Sequence, residues 1–356
     1  MSAAGLIVRE VGVACLYGMR SQALFAGCAT RLSVLRQEGN VCLEDEEGNL
    51  LPAWQGAVPD CEGSPEERIT SLVRRALESL VHGGDRSIAY SKAVAYITLP
   101  GDSTARGRFV DPGALAEVVR EITEVTEVEF DRGPGAPERV LKAASEALQE
   151  GRAESCLVGG VDTLLNEQSA EELRAMGRLR LYSDEDGYGL GEGAAFVRIA
   201  TGDSAPDAAV LSWNGAPEPS EGRAAEEILQ GAVNAAGPMA QEGVDVIVHD
   251  LDVTAGGAME WNQVTAALWP ARLDEVTRLA VQVGELYEAG QVEDRVPETL
   301  GVCRLLGHAG TASIWLRLAA AWERLRFAHA PVERVLVLDD SEPGWRSAFL
   351  LKRVAA

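Results

Sequence analysis

Short apolar runs of strand type alternate along this chain with segments whose apolar residues recur at helical spacing, and no other feature narrows the available folds as much. Leu6 to Leu16 (LIVREVGVACL) reads as a strand and Ser21 to Arg36 as a helix. The acidic, Gly- and Pro-containing stretch Glu38 to Pro65 reads as a surface excursion. Glu66 to His82 carries Ile69, Leu72, Val73, Ala76, Leu77 and Leu80 in one stripe, an amphipathic helix with Gly83-Gly84 as its stop. Ser91 to Leu99 alternates toward a buried strand, Asp111 followed by Pro112 opens a helix reaching about Glu121, and Val125 to Phe130 is a further strand. The turn-forming Asp131-Arg132-Gly133-Pro134-Gly135 leads to a helix over Glu138 to Glu150. A strand follows over Cys156 to Val161 (CLVGGV), whose glycines mark close backbone approach. Strand, helix, strand in this rhythm implies a parallel sheet, because parallel neighbours need a crossover and the helices supply it.

The second half repeats the rhythm. Ala208 to Trp213 is strand-like, Glu221 to Ala236 helical with Ser220 as N-cap, Val244 to His249 (VDVIVH) a strand and Gly257 to Leu268 a helix. Thr299 to Leu306 leads into Gly307-His308-Ala309-Gly310, a helix spans Ala312 to Phe327, and strands at Arg334 to Leu338 and Ser347 to Lys352 close the chain. At ~150 residues per domain, 356 residues accommodate two units. Residues 1–202 and 203–356 read as two α/β halves of a structural duplication that leaves no sequence identity between them.

With 32 basic and 55 acidic side chains, a formal charge of −23 and a pI near 4.6, the chain repels phosphate backbones and anionic lipid. No basic cluster offsets this, so neither nucleic acid nor a membrane surface is an expected partner. No run approaches the ~18 apolar residues of a membrane span. Arg9 and Glu10 interrupt the first apolar run, unlike the apolar region of a signal peptide, so a cytoplasmic location is expected. Cys15, Cys28, Cys42, Cys61, Cys156 and Cys303 form no CxxC pair and no short His/Cys spacing, so reduced, mostly buried thiols are expected, with no metal and no cofactor. The four histidines are His82, His249, His308 and His329; His82 and His329 read as helix-end residues.

Several segments together resemble the β-ketoacyl synthase branch of the thiolase-like superfamily. VREVGVACLYG, Val8 to Gly18, is similar to that family's first strand and following loop. Leu141 to Leu165 (LKAASEALQEGRAESCLVGGVDTLL) is similar to the helix that carries the nucleophile and the strand after it. Ser183 to Ala195 (SDEDGYGLGEGAA) resembles the acidic-Gly segment ending in Gly-Glu-Gly-Ala. Val246 to Val253 (VIVHDLDV) stands where the family has its first active-site histidine, and Leu305 to Ser313 (LLGHAGTAS) where it has the second. The resemblance implies an α/β, thiolase-like fold of two duplicated βαβαβαββ halves in α/β/α/β/α layers, dimeric through a strand near Val125 to Phe130. The implied chemistry is Claisen condensation. A Cys thiolate at a helix N-terminus accepts an acyl group, the helix end stabilises thiolate and oxyanion, and two histidines assist decarboxylation of a malonyl unit.

The same resemblance places the nucleophile at Pro134, between Gly133 and Gly135, and none of the three forms a thioester. The nearest thiol, Cys156, falls in a buried strand and reads as a small core hydrophobe. After His249 the family's Gly-Thr-Gly-Thr is replaced by Asp250-Leu251-Asp252-Val253, which brings two carboxylates toward an enolate site. Cys303 replaces a Lys five residues before His308, and Ser341-Glu342-Pro343-Gly344-Trp345 replaces a glycine-rich gating loop. His249 and His308 remain as site residues, either a residual decarboxylating pair or vestigial, with His308 kept for a backbone hydrogen bond at a helix start. Glu192 reads as scaffold. Gly187-Tyr188-Gly189-Leu190-Gly191 lacks the Gly-Lys-Ser/Thr ending and following helix of a phosphate loop.

Two functions follow. The first is a non-catalytic ketosynthase-like protein that binds a partner. It is an accessory of a type VI secretion effector, or a chain-length-factor-like subunit paired with an active ketosynthase in fatty acid or polyketide synthesis. The charge disfavours direct docking of an acidic acyl carrier protein and tilts the balance toward the secretion setting. The second is a decarboxylating or acyl-transfer enzyme of the 3-oxoacyl-carrier-protein synthase type, using His249 and His308 with or without Cys303 as nucleophile. Either way a homodimer or a heterodimer with a ketosynthase-like protein is implied.

Overall fold

A computed structural model describes residues 6–37, 41–44, 47–83, 92–181, 186–201, 209–217, 230–270, 272–273, 292–293, 296–341 and 345–354. Its first half contains β1 (Leu6–Ala14), α1 (Ser21–Ala29), β2 (Cys42–Glu44), β3 (Leu50–Pro52), β4 (Gln55–Gly56), α2 (Pro65–Gly83), β5 (Ala93–Leu99), α3 (Pro112–Thr123), β6 (Glu127–Arg132), α4 (Ala136–Gln149), β7 (Ser155–Thr163), α5 (Glu167–Ala175) and β8 (Leu190–Ala200). There follow β9 (Ala209–Pro217), α6 (Gln230–Ala240), β10 (Val246–Val248), α7 (Ala255–Leu268), β11 (Arg272–Leu273), β12 (Val292–Glu293), β13 (Glu298–Leu300), the short α8 (Cys303–Leu306), α9 (Ser313–Arg326), β14 (Arg334–Asp339) and β15 (Trp345–Arg353). None of the described helices is long and apolar enough to cross a membrane.

Local chemistry sets the helix ends. Asp111 caps α3 by accepting the N–H groups of Gly113 and Ala114, with Pro112 in the first turn where its missing N–H is harmless. Asn166 caps α5 and Thr254 caps α7 in the same way. In α2 the six apolar residues of the stripe are the six that are buried.

The main sheet runs β6-β5-β7-β8-β1-β9-β15-β14-β10-β13, with β4 added beside β8. In one half β6, β5 and β7 are parallel, and β8 and β1 follow antiparallel. In the other, β13, β10 and β14 are parallel, and β15 and β9 follow antiparallel. The same pairing pattern therefore occurs twice, joined where β1 pairs with β9 over Leu6 to Val8. The expectation of a parallel sheet holds only for three strands in each half. The connection from β14 to β15 is too short for a crossover and closes as a hairpin, which forces antiparallel pairing.

Helices α2 and α3 pack on the outer face of the first half and α6 and α7 on that of the second, while α4 and α9 lie between the halves. The result is the expected α/β/α/β/α layering. Helix α9 is buried from Ser313 to Leu325, as a helix covered on all sides must be.

The excursion between Glu38 and Pro65 contains a small β2–β3 hairpin. The N-cap Ser220 and the first turns of the helix expected over Glu221 to Ala236 lie outside the described residues, and α6 is described from Gln230 to Ala240. The Gly-Glu-Gly-Ala segment, to which the sequence pattern assigned no element, is the start of β8, buried along its whole length. Gly191-Glu192-Gly193 lacks β-branched residues and hides the strand, yet glycine is required there. A Cβ on Gly191 would lie 2.7 Å from the Gly307 backbone, and one on Gly193 would press on Leu316.

Candidate functional site

Helix α4 begins at the turn after β6. Gly133 (φ 74) and Gly135 (φ 73) adopt left-handed backbone that L-residues resist, and they flank an exposed Pro134. Arg139, pinned to the Asp131 carboxylate by two 2.8 Å hydrogen bonds, donates to the Pro134 carbonyl and locks the turn. The helix end favours negative charge, and the chain supplies its own in Glu138. Glu138 Oε1 accepts from Trp345 Nε1 at 2.9 Å and from the Ser347 hydroxyl, and Oε2 is buried without a hydrogen-bond partner among the described residues. The Trp345 indole lies over Gly135, where a Cβ would come within 3.2 Å of it.

Ser347 pairs in register with Asp339 at the end of β14, and there a buried ionic cluster begins. Arg317, fully buried on α9, reaches Asp250 at 3.0 Å, Asp339 at 2.7 Å and Asp340 at 3.2 Å. Asp340 also takes Arg178 at 3.0 Å, and the Tyr188 hydroxyl donates to the Asp250 carbonyl at 2.7 Å. Burial pushes the Asp339 carboxyl up to about 6 despite Arg317. Burial also works against charge on Asp340, but Arg178 and Arg317 overcome it and hold that carboxyl well below the usual range.

Asp250 does not face an open enolate pocket as expected. Its carboxylate accepts the N–H groups of Val302, Cys303 and Arg304 at 3.0, 2.9 and 3.1 Å, capping α8, and Arg317 neutralises it. Asp252 is likewise held by Arg304.

His249 stacks on Trp261 with ring centroids 3.8 Å apart, and its Nδ1 accepts the Leu251 N–H at 3.3 Å. Desolvation drives its pKa down to about 4 against the pull of Asp252 and Asp250. His308 is fixed by its backbone to β8, donating to Gly189 and accepting from Gly191. Its ring nitrogen meets the Ser313 hydroxyl at 3.3 Å rather than a backbone group as expected, and its ring lies 5.0 Å from that of Tyr188. Burial, then Arg178, push its pKa well below the imidazole range. Both rings are therefore neutral at pH 7. They flank the same cluster from opposite ends, through Asp250 and Tyr188, and no hydrogen bond joins them among the described residues. His308, Arg178, Arg106, Ser169, Glu172 and Ser341 line a cavity of only about 20 Å³, room for a single water-sized group.

Burial raises the Cys303 thiol to about 12, and Cys15 and Cys156 equally, so none is a thiolate at neutral pH. Cys156 sits in β7 as a core residue, as read from its sequence. Among the described residues no cluster of His, Cys, Asp or Glu is arranged to hold a metal ion. Glu192 ties three elements together, accepting from Val58 N at 2.7 Å, Arg68 Nε at 2.8 Å and Thr163 Oγ1 at 3.0 Å. Glycines 187 to 191 lead into β8 and not into a helix start.

Arg317, Asp339, Asp340 and Glu138 were not singled out from the sequence, and Trp345 was named only as the end of the segment that replaces the gating loop. A lone Arg inside the apolar run SIWLRLAAAW and an Asp pair ending a buried strand are the signals that mark the first three.

Residues 138–205 match the N-terminal domain family of β-ketoacyl synthases. No curated protein sequence matches the chain. Among solved structures it is similar to the ishigamide ketosynthase/chain length factor (TM-score 0.64, 16% identity, 99% of this chain and 100% of that one). It is similar to the oxazolomycin ketosynthase domain of Streptomyces albus (0.71, 13%, 99% and 74%). A β-ketoacyl synthase from Burkholderia phymatum gives 0.66 at 13% identity, covering 99% and 100%. At these identities the likeness is one of fold, and the chain has the thiolase-like ketosynthase fold.

Proposed function

We propose that this chain, ketosynthase-like in fold, forms no acyl-enzyme intermediate and works as the binding partner or accessory of another protein. Pro134 carries the reading. It stands exposed between two left-handed glycines at the start of α4, where the resemblance puts the nucleophile. Glu138 supports it by bringing a carboxylate to the helix end that would otherwise stabilise a thiolate and an oxyanion. Buried, neutral His249 and His308 and protonated thiols support it further. In this reading the halves 1–202 and 203–356 are kept as scaffold, and the site residues are vestigial.

The partner is a ketosynthase-like chain, a second copy or a different one, meeting the exposed sheet edge at β6. Of the two settings, a type VI secretion accessory suits a charge of −23, which disfavours an acidic carrier protein as direct partner. The chain-length-factor-like setting is favoured by the fold match to a protein described as a ketosynthase/chain length factor.

Two measurements test the proposal. After exposure to an acyl-thioester the purified chain keeps its intact mass; a gain of acyl mass that is lost on adding a malonyl donor overturns the reading. Co-purification from the native host with mass spectrometry then separates the settings, by recovering either a secretion component or an active ketosynthase.

A further inference from the structure

The molecule holds a second, larger hollow away from the buried ionic cluster. A cleft of about 600 Å³ opens where the end of β1, Val34 and Arg36, Val41, β4 and the start of α2 come together. That is the size of small-molecule sites, about 300–1,000 Å³. Leu16, Val34, Val41 and Leu165 form its apolar walls, and Arg36, Gln55 and Arg68 are its polar groups.

The two arginines differ. Arg68 is committed to Glu192, with Nε at 2.8 Å and Nη2 on the other carboxylate oxygen, so its charge is balanced. Arg36 has its backbone clamped by a two-way bridge to Gln55, at 2.9 and 2.7 Å. Its side chain is exposed, and among the described residues its guanidinium has no hydrogen-bond or ion-pair partner. In a chain with 55 acidic against 32 basic residues, a guanidinium with no carboxylate partner among the described residues is conspicuous, because counter-charges are in excess. The walls are braced without it: Gln55 Nε2 donates to the Val41 carbonyl at 3.2 Å. The carboxylate on the rim, Glu67 beside Gly63, is occupied by the Ser64 N–H at 2.8 Å.

We propose that this cleft binds a free organic acid with an apolar body, its carboxylate received by Arg36 and its body by Leu16, Val34, Val41 and Leu165. A guanidinium presents parallel donors that match a carboxylate, and an apolar wall next to it selects against small hydrophilic anions. The inference needs neither a nucleophile nor a protein partner, and it stands apart from the proposed function.

The test uses octanoate below its micelle concentration as probe. Binding is followed by calorimetry and by intrinsic tryptophan fluorescence, to which Trp54, immediately before Gln55, contributes. Saturable one-site binding of octanoate is expected, with octanol, the same body without charge, weaker by about tenfold or more. Acetate, the charge without the body, should not bind. Arg36→Gln should weaken octanoate by a similar factor and leave octanol binding and the melting temperature unchanged, since among the described residues the Arg36 guanidinium pairs with no other side chain. Anionic phospholipid vesicles should not compete with octanoate. Absence of octanoate binding, equal binding of octanol, an unchanged Arg36→Gln variant or competition by vesicles each overturns the assignment.

Discussion

Arg317 joins three buried carboxylates, and without it Asp250, Asp339 and Asp340 would share a water-poor interior with too little counter-charge. Breaking such a buried pair on one side costs about 3–5 kcal/mol. Arg317→Met should lose that much in urea unfolding, and a loss under about 1 kcal/mol would show the cluster to be more hydrated than its burial indicates. His249, which flanks the cluster, and Asp339, which belongs to it, also set the acid response, with opposite signs. His249 is depressed from 6.5 to about 4, so its contribution is full above 6.5 and is lost as pH falls toward 4. Asp339 is raised from 3.8 to about 6, so its contribution is full below 3.8 and is lost as pH rises toward 6. Urea midpoints measured across that window should therefore fall less on acidification in His249→Gln than in the wild type, and more in Asp339→Asn. The histidines were legible in the sequence as residues of interest, but their neutrality was not, because it depends on how deeply Trp261 and Tyr188 cover them.

Helix α4 shows what an element adds to its residues. Its N-terminus is built as a thiolate site would be, but Glu138 and Trp345 fill it. Pro134→Cys should fold, condense nothing and have a thiol that titrates near the ordinary value of about 8.5. Adding Glu138→Gln should lower that value, since the repelling carboxylate is gone. Alkylation rate against pH reads both, and a thiol already depressed in the single variant would sink the argument. Close packing of β8 against the His308 loop makes a second contrast. Gly191→Ala would drive a methyl into the Gly307 backbone and should cost about 1–3 kcal/mol, whereas Gly83→Ala at the end of α2 meets nothing within 4 Å and should be neutral to about 0.5 kcal/mol, by thermal or urea unfolding. The helix stripe of α2 and the cap at Asp111 were readable because they are local. Strand β8 was not, because its glycines are explained only by what crosses them.

At the scale of the whole molecule, the sheet ends on β6, whose Glu127, Glu129 and partly buried Val128 and Phe130 lie at an open edge. If a second copy meets that edge, two chains of charge −23 must approach each other. Association should therefore strengthen as ionic strength passes about 0.1 M, where the screening length falls to ~10 Å. Light scattering against salt measures this. Dissociation with rising salt would point to an interface held by opposite charges instead.

By itself the sequence determined the alternation of strands and helices, the repeat of one half by another and the glycine-proline turn before α4, while the layering of the sheets and helices was implied by the family resemblance. Periodicity, caps and turn residues act over a few neighbours and leave their mark in order along the chain. Only the tertiary structure decided that Asp250 caps α8 instead of facing a pocket, that Glu138 occupies the helix end and that Arg36 lines an apolar cleft. Those outcomes depend on contacts between residues up to some two hundred positions apart, such as Glu138 with Trp345. Burial and pairing at that range follow from how the layers close on one another, and nothing in the local sequence records them.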